Sequence, residues 1–206
     1  MTSQDNQKRN ELYITRFIET SPTALYDIGV GPKTEWKYLG EHYPEMDVYG
    51  VEANPDMCTR IIESGFRGVL LNKAVFDRPG FLELKVYRDD GLDASLLSID
   101  KRRVSKRHNI ECITLDEVDR LFGYKSGILL WMDIEGAELS ALKSAPNLMS
   151  SKRVSWINLE VRENPPWADG CTASDIDTFL LGHGYKKIVE YNRHPHIGHY
   201  DVIYSL

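Results

Sequence analysis

Carboxylates and glycines stand where short apolar runs end. The run at 24–28 leads into Asp27-Ile28-Gly29-Val30-Gly31, and the run at 48–51 leads into Glu52. The run at 69–75 holds Asn72-Lys73-Ala74, and the run at 128–132 leads into Asp133-Ile134-Glu135-Gly136-Ala137-Glu138. A fifth run, at 154–161, carries Glu160. As parallel strands of an open sheet these runs would end on one rim, where such sheets bind ligands. Gly29 and Gly31 let the backbone turn tightly and approach a ligand, and a helix start beyond them offers unpaired N–H groups to an anion. Asp27 would repel a pyrophosphate but could hold an ammonium, and the amino-acid end of S-adenosylmethionine carries an ammonium beside a carboxylate. A dinucleotide loop would have its third glycine where Thr34 stands, so the pattern favours S-adenosylmethionine over a nicotinamide cofactor. The plainer reading is a glycine turn that binds nothing.

Glu52 lies about 25 residues beyond Asp27, near the spacing at which a carboxylate accepts hydrogen bonds from ribose hydroxyls. That supports a nucleoside without choosing between cofactors, and the alternative is a solvated acid at a helix start. Asn72 could put an amide near an adenine edge. Asp133, Glu135 and Glu138 fall within six positions after a wholly apolar run, where carboxylates are costly to desolvate and need partners. A helix-start acid explains Glu138 but explains Asp133 poorly, which points to function for Asp133. Glu160 belongs to the same rim, unless it only pairs with Arg162 at the surface. Residues 192–199 contribute His194, His196 and His199, which could supply a base or bind a metal, or simply sit in a solvated loop.

The elements that would hold these residues alternate. Apolar runs at 24–28, 48–51, 69–75, 128–132, 154–161, 186–190 and 200–204 read as strands. Helices are expected between most of them. Trp36, Leu39 and Tyr43 share one face, and Asn54-Pro55 starts a helix with the stripe Met57, Ile61 and Ile62. Residues 114–122, 137–142 and 174–183 read as three more helices, and residues 8–18 as a leading one. Such βαβ alternation specifies a parallel sheet covered on both faces. The strand-like 81–86 after Arg78-Pro79-Gly80 reads as a local hairpin extension. The basic run around Arg102, Arg103, Lys106 and Arg107 reads as a solvated helix face that could also grip an anionic substrate.

Length and composition narrow the class. With 206 residues, 42% apolar and 27% charged, the chain suits one globular domain, residues 24–206, after a lead-in at 1–23. A net charge of −6 argues against general nucleic-acid binding, which needs clustered positive charge. No apolar stretch approaches the ~20 residues of a membrane span and no signal peptide is evident, so a cytoplasmic protein is expected. Cys58, Cys112 and Cys171 form no paired motif and are expected to be reduced.

Taken together, DIGVG, VEANP, LNKAVFD with its hairpin, ASLLS, ITLDEV, MDIEGAE and NLEV resemble, in order and spacing, the FkbM-like S-adenosylmethionine-dependent methyltransferases over about 25–204. The chain departs from that family's usual pattern at Gly31 and Lys33. The resemblance implies an α/β, Rossmann-like class I fold with a seven-stranded, mostly parallel sheet, an antiparallel last strand and helices on both faces. It implies a cofactor set of Asp27, Gly29, Gly31, Glu52, Ala53, Asn72, Ala74 and Asp133, with Asp133 facing the transferred methyl. It also implies an oxygen acceptor, the hydroxyl of a small molecule or saccharide, with Asp133, Glu160 or His199 as the base. A divalent metal on Asp133 and Glu160 is conceivable, but none is assigned, because such carboxylates are frequent without one. The other classes are an NAD-dependent oxidoreductase, opposed by Thr34 and Asp27, and a non-catalytic cofactor-binding module, opposed by Glu52 and Asp133.

Overall fold

The computed structural model describes residue 18 and residues 21–31, 35–194 and 198–206. The leading helix expected over 8–18, all but its last residue, lies outside the described residues, as do Lys33, Thr34 and His196. In chain order the described elements begin with β1 (Ala24–Ile28), α1 (Glu35–His42), β2 (Asp47–Glu52), α2 (Pro55–Glu63) and β3 (Val69–Asn72). There follow β4 (Ala74–Val75), β5 (Gly80–Val86), β6 (Ala94–Ser95), β7 (Lys106–Ile113) and α3 (Leu115–Leu121). The rest are β8 (Ile128–Met132), α4 (Glu138–Lys143), α5 (Pro146–Ser150), β9 (Val154–Arg162), α6 (Ala173–Gly182), β10 (Lys186–His194) and β11 (His199–Ser205).

Seven strands form one sheet in the order β10-β11-β9-β8-β1-β2-β3. β1 is buried along its whole length, Asp27 included, which is why its apolar residues do not alternate with solvent-facing polar ones. Ile28 pairs in parallel register with Val51 and Met132, so β1, β2 and β8 end level and deliver Gly29, Glu52 and Asp133 to one rim. β11 runs antiparallel to both β9 and β10, which makes β10 parallel to β9. His199 therefore lies opposite Arg162 and beside His194 at that rim. The sheet is covered on both faces. Trp36, Leu39, Met57 and Ile61 of α1 and α2 pack with Leu25, Leu129 and Trp156 on one face. Leu115, Ala141, Leu148 and Leu180, from α3 to α6, pack with Tyr26, Leu130 and Ile157 on the other.

Local chemistry sets the boundaries. The Asn54 side chain accepts from the Asp56 N–H at 3.1 Å with Pro55 behind it, Thr114 caps α3, and Thr172 with Asp175 forms a capping box on α6. Among the described residues no helix is long and apolar enough to cross a membrane.

Three expectations need correction. The run 69–75 is not one strand: it breaks at Lys73, β3 staying in the large sheet while β4 enters a second sheet of order β4-β7-β5-β6. The 81–86 segment forms no local hairpin across the Arg78-Pro79-Gly80 turn, since β5 pairs antiparallel with the distant β7, from Gly80 opposite Cys112 to Val86 opposite Lys106. The basic run is not a helix face either. Lys106 opens β7, where Ile110 and Cys112 point inward on alternate positions, and the cations are matched with acids: Arg102 with Asp93, Lys106 with Asp56, Arg107 with Glu83.

Candidate active site

Above the ends of β1, β2 and β8 lies a cleft of about 450 Å³, open to solvent, whose wall includes Gly29, Glu52, Ala53, Ala74 and Asp133. Val51, Val75, Leu84, Leu96 and Ile134 make the rest of it largely apolar. Gly29 has φ +89°, and a Cβ there would lie 2.0 Å from the Asp133 carbonyl oxygen. Only glycine permits that approach. Backbone bonds lock the crossing, Gly29 N–H donating to Val51 O at 2.8 Å and Asp133 N–H to Ile28 O at 3.0 Å.

Glu52 is half-buried at the cleft, with Oε1 accepting from the Asn54 N–H at 2.6 Å. Burial, reinforced by the Asp133 carboxylate, pushes its carboxyl up to about 8. Such a group gains from further donors. The amide of Asn72 is not on the cleft wall: it donates to Glu52 O at 2.9 Å and Ala53 O at 3.1 Å, so it braces the turn beneath Glu52 rather than facing an adenine. Asp27 is 4% exposed within β1, and neither it nor Gly31 is on that wall.

The turn after β8 is built around a buried acid. Glu135 and Gly136 take φ +51° and +98°. Glu138, 3% exposed, spans the turn with Oε1, accepting from Ile134 N–H at 3.0 Å and Gly136 N–H at 3.3 Å. Burial raises its carboxyl to about 7. Sequence position marks Glu138 as a helix-start acid, but its larger task is to shape the loop that carries Asp133. Glu138→Ala strands two N–H groups, so a loss of about 2 kcal/mol, or about 4–8 °C in Tm, is expected, while Glu138→Gln keeps an acceptor oxygen and most of the stability. Thermal unfolding checks this, and equal losses in both variants would contradict it.

Carboxylate oxygens of Asp133, Glu135 and Glu160 lie within 4.8 Å of one another. Burial and the two neighbouring carboxylates raise the Glu135 carboxyl well above its ordinary range. Arg162 Nη2 reaches Glu160 Oε1 at 3.2 Å and Glu135 Oε2 at 3.5 Å, and His199 Nε2 lies 2.9 Å from Glu160 Oε2. The His194 ring stacks on His199 with centroids 5.4 Å apart. The Glu160–Arg162 pair read from sequence is therefore present, yet half-buried and joined to a histidine. Arg162 already pairs with two of the three carboxylates and competes with a cation there.

Sequence reading named Glu135 and Arg162 without giving either a place in the site, and missed Ser95, whose Oγ–H donates to Glu135 O at 2.8 Å from the second sheet. Ser95 lay inside the noted ASLLS segment, but nothing local linked it to a residue 40 positions on.

A family model described as the methyltransferase FkbM domain matches residues 18–187. No curated protein matches the chain in sequence. Magnesium protoporphyrin IX methyltransferase (ChlM) from Synechocystis, solved with bound SAM, is similar with TM-score 0.55 at 10% identity, over 98% of this chain and 78% of that one. The methyltransferase domain of bacterial CtHen1-CN is similar with TM-score 0.51 at 12% identity, over 98% and 99%. M. capricolum TrmK, solved with S-adenosyl-homocysteine, is similar with TM-score 0.52 at 10% identity, over 100% and 68%. At such identities the likeness is one of fold.

Proposed function

Because the chain belongs to the FkbM methyltransferase family, with S-adenosylmethionine as its methyl donor, we propose that it methylates a hydroxyl oxygen of a small molecule or saccharide. Bound in the cleft, the donor supplies a methyl group on a sulfonium centre, activated for in-line displacement. The residues present suit it: Glu52 is a half-buried carboxylate that gains from further donors, which ribose hydroxyls provide, and the apolar wall beside Ala53 and Ala74 suits an adenine. We assign Gly29, Gly31 and Asp27 to the methionine end and Asp133 to the boundary between donor and acceptor.

The observation that carries the choice of oxygen is the 2.9 Å contact between His199 Nε2 and Glu160 Oε2. A hydroxyl needs a base. A carboxylate that accepts from Nε2–H fixes the tautomer in which Nδ1 is free to take a proton, the arrangement by which a third group orients a general base. With donor and acceptor bound, His199 would take the acceptor's hydroxyl proton at Nδ1, and the donor would supply the methyl group. His199→Ala should cut turnover and remove the acid limb of the pH–rate profile while donor affinity stays within about twofold. A persisting acid limb would move the base to Asp133.

Glu52 yields a second expectation. Near pH 7 the free protein holds Glu52 largely protonated, and hydrogen bonds from ribose hydroxyls favour the ionised form. Donor binding should therefore release a proton, and affinity should rise with pH until about 8. Calorimetry in two buffers of different ionisation enthalpy measures the release. Glu52→Gln should abolish it, and Glu52→Ala should weaken binding by about 1–3 kcal/mol. Proton-neutral binding by the unaltered protein would remove Glu52 from the ribose.

A further inference from the structure

A carboxylate that orients a base must itself be held, one oxygen on the base and the other on a fixed donor. Glu160 has both contacts. Its Oε2 lies 2.9 Å from His199 Nε2, and its Oε1 accepts from Arg162 Nη2 at 3.2 Å. Strand geometry brings the three together, since Glu160 and Arg162 are two positions apart on β9 and share a face, and His199 of β11 stands in register with Arg162. An arginine and a glutamate so placed on a strand usually make a mobile surface pair of little consequence.

This arginine is seated. Its guanidinium lies over the Trp167 ring at 5.1 Å, and the indole, 6% exposed, rests on Gly136 so closely that a Cβ there would sit 2.5 Å from Trp167 Cε3. Gly136 follows Glu135 in the turn after β8, and Glu135 Oε2 is 3.5 Å from the same Arg162 Nη2. From the far side Trp167 bridges Ile99, and Ala168 N–H donates to Ser98 O at 3.2 Å, so the strap leading from β6 holds the indole down. Ser95, at the start of that strap, ties it to the Glu135 carbonyl at 2.8 Å. The place of the guanidinium is thus set by the turn after β8 and by the strap, neither of which carries the base. We propose that Arg162, seated on Trp167, is a positioning residue: it fixes the plane of the Glu160 carboxylate so that Oε2 keeps the His199 Nε2–H and Nδ1 is left to take the proton. A lysine ammonium would supply the charge without the planar face that stacks on the indole. The proposal rests on the reading of His199 as the base.

The test reads the bond between Glu160 and His199 directly, in the full chain labelled with ¹⁵N in its histidines, the His199 Nε2–H resonance being identified by its loss in His199→Ala. A held imidazole N–H exchanges slowly with water and a released one quickly. Arg162→Met should speed this exchange about tenfold or more, and so should Trp167→Leu, which leaves every charged group in place and removes only the seat. Trp167→Phe keeps a ring beneath the guanidinium and should stay within about threefold of the unaltered chain. Backbone amides of β9 and β11, read in the same samples, should exchange as before, which a general loosening of the fold does not allow. The proposal is overturned if the Nε2–H of the unaltered chain exchanges as fast as free imidazole, if Arg162→Met or Trp167→Leu stays within about twofold of the unaltered chain, or if the β9 and β11 amides speed up in step. Failure of the base reading itself shows elsewhere, as an acid limb that persists in the pH–rate profile of His199→Ala.

Discussion

Asp133→Asn should lower turnover by about 100-fold or more while leaving the fold and most of the donor affinity in place. The backbone of residue 133 is held by its N–H to Ile28 O at 3.0 Å, a bond the substitution does not touch. Asparagine is nearly isosteric but carries no charge, so a positioned carboxylate charge beside the reacting centre is lost. The carboxylate it replaces lies on the cleft wall within 4.8 Å of Glu160, between the donor pocket and the His199 pair. A second readout separates this role from a structural one. Asp133 helps raise the Glu52 carboxyl, so in Asp133→Asn Glu52 should titrate below about 8, and the proton released on donor binding should diminish near neutrality. Single-turnover rates at saturating donor test the first effect and buffer-dependent calorimetry the second. Near-normal turnover would shift the chemistry wholly to Glu160 and His199.

Gly29→Ala should all but eliminate donor binding, with a loss of about 100-fold or more. Two costs coincide there. At φ +89° a side chain adds about 1–2 kcal/mol of backbone strain, and a Cβ 2.0 Å from the Asp133 carbonyl oxygen forces the ends of β1 and β8 apart, which distorts the loop and Asp133 together. Gly123 provides the control. It has φ +82° with nothing within 4 Å of an added Cβ, so Gly123→Ala carries the strain alone. Thermal unfolding of both variants, with S-adenosylmethionine titrated into each, separates the terms. If Gly29→Ala binds as well as Gly123→Ala, the close approach at the rim has no functional weight.

Buried parallel strands were the most legible part of the chain. Ala24–Ile28 and Ile128–Met132 coincide with apolar runs because both faces of each are covered, and no alternation competes with the signal. β7 was hidden for the opposite reason. Its first half is exposed, so Lys106 and Arg107 dominate its appearance, and the inward Ile110 and Cys112 come too late to set a period against them. α5 has five residues, too few for helical periodicity, and is held by Asp116, which accepts from the Asn147 and Leu148 N–H groups across the core edge. At the site, Glu52 and Asp133 could be read because a carboxylate ending an apolar strand is costly and local. The contact of Arg162 with Glu135, the place of Ser95 and that of Trp167 could not, since Glu135 and Gly136 lie in the turn after β8 and Ser95 in the second sheet, and they meet only in the fold.

Transfer of a ¹³C-labelled methyl group from S-adenosylmethionine tests the central claim most directly. The unaltered chain is incubated with the labelled donor and a panel of polyols, phenols, amines and carboxylic acids, and the product methyl is identified by its carbon chemical shift. The account predicts label in a methyl ether of a hydroxyl compound, formed by the unaltered chain and largely lost in Asp133→Asn and His199→Ala. Label appearing instead on nitrogen, on carbon or as a methyl ester would contradict it.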